Sequence, residues 1–136
     1  TSYLNMAGFC FLLRNLDEAL ENYQQALAIL KKVRGPEHYK VAGCLRGIAI
    51  VFHKLGKLQE ALEQHEAALR ISVKVFGRDH PQVADSLESI GKVYWASGQQ
   101  TESIVKLEEC LSIRTKTLGP LHPDTTDVKQ RLESIL

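Results

Sequence analysis

One interval constrains this chain more than anything else in it. Gly35, Gly77 and Gly119 stand 42 residues apart, and His38, His80 and His122 keep the same spacing. The interval extends well beyond those residues. GKLQEALEQHEAALRIS at 56–72 falls on GQQTESIVKLEECLSIR at 98–114, and RNLDEALENYQQALAIL at 14–30 falls on the first of these. A period of roughly 20 to 50 residues marks a solenoid, propeller or array, in which one supersecondary unit is stacked several times.

The apolar spacing inside a copy is helical. Leu58, Ala61, Leu62, His65, Ala68, Leu69 and Phe76 advance in steps of three and four, as do Leu45, Ile48, Ala49 and Phe52 before them. The pattern predicts helices over 2–13, 15–34, 39–55, 57–76, 81–97, 99–118 and 124–136. The breaks at Gly56 and Gly98 are so short that the two helices of a copy must be antiparallel neighbours. Arg14 stands where the first copy should have its glycine.

The recurrent phrases VRGPEHY, FGRDHPQ and LGPLHPD are joints between hairpins. Their glycines are expected to end the second helix of a copy in the left-handed conformation, which needs no Cβ. Pro81 and Pro123 suit the first position of the next helix, where a missing N–H is harmless; Tyr39 takes that place in the first joint. The three histidines are expected to cap or pack within the joint. Stacked helices lie about 10 Å apart, whereas zinc needs nitrogens converging at about 2 Å.

Composition narrows the function. With 17 basic and 16 acidic residues the net charge is +1, so there is no excess to match a phosphate backbone. No apolar run approaches the roughly 20 residues needed to span a bilayer. Cys10, Cys44 and Cys110 are an odd number without C-x-x-C spacing, which implies core filling and a reducing, cytoplasmic compartment. The sequence does not start with Met, which suggests excision from something longer. His65 and Glu66 begin an H-E-x-x-H pattern, but Leu69 stands where its second histidine is required. No phosphate loop, nucleophile elbow or carboxylate pair stands out. These readings imply a non-enzyme without metal or cofactor.

Leu45, Ile48, Ala49, Phe52, Gly56, Leu58, Ala61, Ala68 and Leu69, together with Leu87, Ile90, Gly91, Tyr94, Gly98, Ser103 and Cys110, resemble the signature of tetratricopeptide repeats. The period of 42, against the usual one of about 34, resembles the long-helix variety of kinesin light chains and nephrocystin-type proteins. The resemblance implies an all-α fold: a right-handed α-α superhelix of three helix hairpins plus a C-terminal capping helix. It forms a single domain with repeats at about 1–40, 41–82 and 83–124 and a half-repeat at 125–136. The last helix keeps Val128, Leu132, Ile135 and Leu136 on one side and puts Lys129 where earlier copies carry Tyr3, Leu45 and Leu87. That pattern suits a solvating cap, and equally a helix cut from inside a longer array.

The resemblance also implies where a partner binds. One step beyond the core stripe of each first helix lie Leu4, Gly8 and Phe11, then Arg46, Ile50 and His53, then Glu88, Lys92 and Trp95, then Gln130 and Ser134. In tetratricopeptide arrays this face lines the concave groove. A chaperone-type carboxylate clamp would need Lys and Asn where this chain has Leu4 and Gly8, Arg46 and Ile50, Glu88 and Lys92. Kinesin light chains use an asparagine pair; Asn5 matches one member, but Arg46 with Gly47 and Glu88 with Ser89 do not. The candidate partner-binding residues are therefore Asn5, Phe11, Arg46, Ile50, His53, Glu88, Lys92 and Trp95. The expectation is a scaffold that binds a protein or peptide, with no nucleic acid and no membrane. The alternatives are a homodimer through the terminal helices 2–13 or 124–136, or a regulatory domain of a larger signalling protein.

Overall fold

The computed structural model describes residues 2–135, with side chains from residue 15 onward. Six helices follow in order: α1 (Ser2–Arg34), α2 (Tyr39–Lys54), α3 (Leu58–Phe76), α4 (Pro81–Ala96), α5 (Gln100–Leu118) and α6 (Pro123–Ile135). Helices α2 and α3 form one hairpin, α4 and α5 the next, and α6 packs on α5 as the first helix of a further unit. No strand occurs among the described residues.

The expected break near residue 14 does not occur, and α1 runs through it. The other copies turn at Gly56 and Gly98, whose φ values of 80° and 82° strain any residue with a Cβ. There the chain closes on itself, with Gly56 N donating to His53 O at 3.0 Å and Lys57 N to Phe52 O at 2.8 Å. Arg14 and Asn15 offer no such hinge, so the helix continues.

The joint glycines do end the second helices, but not in the left-handed helical region. Gly77 has φ 87° and ψ 167°, and Gly119 has φ 92° and ψ 158°. That region is essentially glycine-only, and its extended ψ turns the chain away from the helix axis instead of curling it back. Three residues on, each histidine caps the next helix. Nδ1 of His38, His80 and His122 accepts the backbone N–H of Lys40, Gln82 and Asp124 at 3.2, 3.1 and 3.1 Å. A ring nitrogen here does what a Ser or Asp oxygen does at an ordinary N-cap. The repeated histidine is thus a helix start signal, and Pro81 and Pro123 occupy the first helical position beside it.

Two apolar clusters hold the stack. Val41, Ala42, Leu45, Ala68 and Ile71 join α2 to α3, with Leu27 and Leu30 of α1 packed against them. Val83, Ala84, Leu87, Leu107, Cys110, Ile113, Val128 and Leu132 join α4, α5 and α6. Cys110 is core filling, and burial pushes its thiol up to about 12. Close approach of the helices depends on small residues. A Cβ on Gly91 would lie 3.0 Å from Leu107, and Ser103 Oγ donates to Gly91 O at 2.7 Å. Among the described residues no helix is long and apolar enough to cross a membrane.

A candidate partner-binding groove on the first-helix layer

The first helices α2, α4 and α6 lie side by side, and the expected stripe runs across them. Ile50 is 43% and Trp95 50% exposed; Lys92 is exposed, while Arg46, His53 and Glu88 are half-buried. Asn5 and Phe11 lie outside the residues whose side chains are described. His53 of α2, Lys92 and Trp95 of α4, and Arg131 and Ser134 of α6 converge on a cleft of about 310 Å³, floored by Gly91 and Leu107. Three of the expected residues are therefore brought to one place. Arg131 was missed because it falls at the copy position of Gly47 and Ser89, one residue beyond the stripe.

Arg46 sits apart from that cleft, in a neighbouring one of about 490 Å³ shared with Tyr23, Tyr39, Gly43, Ser72 and Gln82. Its Nη1 donates to Gln82 Oε1 at 3.2 Å, while its buried Nε makes no hydrogen bond to any described residue.

Glu88 is not free to meet a ligand as a lone carboxylate. Arg114, only 4% exposed, places Nη1 3.1 Å from Glu88 Oε2 and Nη2 2.9 Å from Asp85 Oδ1, and Nη1 also donates to Asp124 O at 3.2 Å. Burial opposes ionisation of Glu88. The hydrogen bonds and charge of Arg114, with the charges of Lys92 and Arg131, outweigh it and hold this carboxyl below the usual range. The cations that the stripe and its cleft offer a partner are Arg46, Lys92 and Arg131.

Beneath the layer lies His65, 1% exposed, whose Nδ1 has no hydrogen-bond partner. Burial, and then the charges of Arg46 and His53, lower its pKa to about 4, so it is a neutral core residue at pH 7. Tyr23 and Leu107 occupy the same place in the other copies. Among the described residues no group of three or more His, Cys, Asp or Glu side chains is placed to hold a metal ion.

Helical hairpins stacked at a fixed sequence interval define an α-α solenoid. A family model described as tetratricopeptide repeat matches residues 1–72 and 45–116, and the chain belongs to that family. Among solved structures it is similar to BtubC (BKLC) from P. vanneervenii, with a TM-score of 0.82 and 26% identity over 89% of this chain and 48% of that one. It is also similar to a putative kinesin light chain with nearly identical TPR-like repeats from Podosopora anserina. There the TM-score is 0.79 and the identity 29%, over 90% of this chain and 59% of that one. The chain thus spans about half of the first and three-fifths of the second. No match was found among curated protein sequences.

Proposed function

We propose that this chain is a cytoplasmic, non-catalytic protein-interaction module, one domain of three copies and a half-repeat, that holds a peptide segment of a partner along the layer of first helices. The observation that carries the reading is the convergence of His53, Lys92, Trp95 and Arg131 on one open cleft, with half of the Trp95 surface in solvent. An aromatic side chain flanked by cations is the composition of an interface anchor. With Glu88 bound to Arg114, the favoured ligand is acidic, bearing at least one apolar side chain to lie against Trp95 and Ile50.

Trp95 is the only tryptophan in the sequence, so its fluorescence reports on this cleft alone. A library of acidic peptides titrated against the protein is expected to shift that emission. Followed by titration calorimetry, which does not depend on that fluorophore, Trp95→Phe and Arg46→Ala are each expected to weaken binding by tenfold or more, about 1.4 kcal/mol or above. Unchanged affinity in both variants would overturn the reading.

A second reading, self-association through the first helix, has one specific observation behind it. Ile29 is 63% exposed, whereas its counterparts Ile71 and Ile113 are 9% and 7% exposed. The last helix gives it less support, because Asp127, Lys129, Gln130 and Glu133 all face solvent. A solution mass that doubles with concentration and returns to the monomer value in Ile29→Glu would establish it; a constant monomer mass would exclude it.

A further inference from the structure

The second helices form the other face of the stack, and the function above makes no use of it. Between α1 and α3, over α2, lies a cleft of about 510 Å³; between α3 and α5, over α4, lies another of about 520 Å³. Every residue lining the first except Lys74 has its 42-residue counterpart lining the second. The clefts are thus a product of the repeat. Their floors are the same in kind: Val41, Leu45 and Ile71 in one, Val83, Leu87 and Ile113 in the other.

Their rims carry a charge bias. The acidic residue that each joint contributes is already neutralised, Glu37 by Lys74 at 2.6 Å and Asp79 by Lys116 at 2.9 Å. Lys31, Arg70, Arg78 and Lys106 then remain around the two clefts without an ion pair to any described residue, against the single carboxylate of Glu109. In a chain of net charge +1 this is a local excess of cations. Arg70 is exposed and lines both clefts, standing on the ridge that divides them.

We propose that this face is a second docking surface, for an acidic helical segment of a partner protein that seats one apolar side chain in each cleft and passes over Arg70. Charge complementarity selects the acidic segment. The dividing ridge is one helix, so the anchors stand about 10 Å apart. That is roughly seven residues along a helix, two turns, which puts both on the same side.

The probe is a synthetic glutamate-rich helical peptide with two leucines seven residues apart, titrated into isotope-labelled protein and followed by amide chemical shifts. Two comparison peptides have the leucines replaced by alanine, or the glutamates by lysine. Shifts are expected at Val41, Leu45, Val83 and Leu87, reduced when the leucines are removed and absent with the lysine peptide. Arg70→Glu and Arg78→Glu, both at exposed positions, are each expected to weaken binding about tenfold or more without altering the circular dichroism. Trp95→Phe should leave it unchanged. Shifts confined to 88–95, equal binding of the lysine peptide, indifference to both charge reversals, or no shift at these residues up to millimolar peptide would each overturn the proposal. The groove assigned above could still stand.

Discussion

The second and third copies share a backbone and differ in what they bury. In the third, Arg114 of α5 is clasped by Asp85 and Glu88 of α4 and reaches the carbonyl of Asp124 at the start of α6. Forty-two residues earlier the same three positions hold Ser72, Gly43 and Arg46. The cation has moved from the second helix to the first, and both carboxylates are gone. Instead of a closed ion network there is a cleft of about 490 Å³, and a Cβ built on Gly43 would meet nothing within 4 Å. The repeat fixes helix ends and core contacts, and it leaves this position free either to tie the hairpin to its neighbour or to stay open.

The largest effect expected from this contrast is at Arg114. Its guanidinium is buried, and its pKa is raised because the hydrogen bonds to Glu88 and Asp85 outweigh the opposing effect of burial. Arg114→Ala strands Asp85 and Glu88 together and is expected to cost about 3 kcal/mol or more in denaturant unfolding. Ser72→Ala, at the equivalent buried position but with no ion pair to break, should change stability by about 1 kcal/mol or less. Equal losses at the two positions would erase the distinction between the copies.

Next in size is the acid sensitivity that a buried histidine adds to the second copy. His65 titrates at about 4 in the folded chain and near 6.5 when unfolded, so between those values the unfolded chain binds more protons. Stability from this residue is therefore full above about pH 6.5 and falls as pH drops towards 4, by up to roughly 3 kcal/mol. His65→Leu, which copies the third repeat's Leu107, is expected to flatten that part of the stability–pH curve. An unchanged slope would assign the acid loss to other groups.

The smallest effect comes from beginning to rebuild the third copy's network in the second. Gly43→Asp replaces a helical glycine, adds a carboxylate three residues before Arg46 and places negative charge near the start of α2. It is expected to stabilise the chain by about 1 kcal/mol. If Arg46 contributes to the groove, the same substitution weakens acidic peptides by engaging that guanidinium. A stabilised variant with unaltered peptide affinity would remove Arg46 from the binding surface.

Much of the fold was legible because it is written locally. The joint phrases gave the helix ends, since a positive-φ glycine and a capping side chain act within three or four residues of themselves. The 42-residue shift then carried each assignment from copy to copy. The joint glycines were placed correctly but in the wrong region of backbone space, because sequence shows that glycine is needed and not which ψ it takes. Position 14 failed for the converse reason: homology between copies predicted a hinge that Arg14 and Asn15 do not supply. That Ile50, His53, Lys92 and Trp95 share a stripe followed from helical periodicity, while the expectation that this stripe lines a groove came from the resemblance to tetratricopeptide repeats. The engagement of Glu88 followed from neither, because its partner lies 26 residues away on another helix.

The sequence by itself determined a stack of antiparallel helical hairpins, the histidine and glycine signals that punctuate it and the stripe that faces the first-helix layer. Each depends on neighbours within a turn or two, or on repetition. Only the tertiary structure decided which charges on that layer are free, where the clefts open on both faces and that His65 is sealed in. Those outcomes depend on which side chains from separate helices meet, and on what water can still reach once they have.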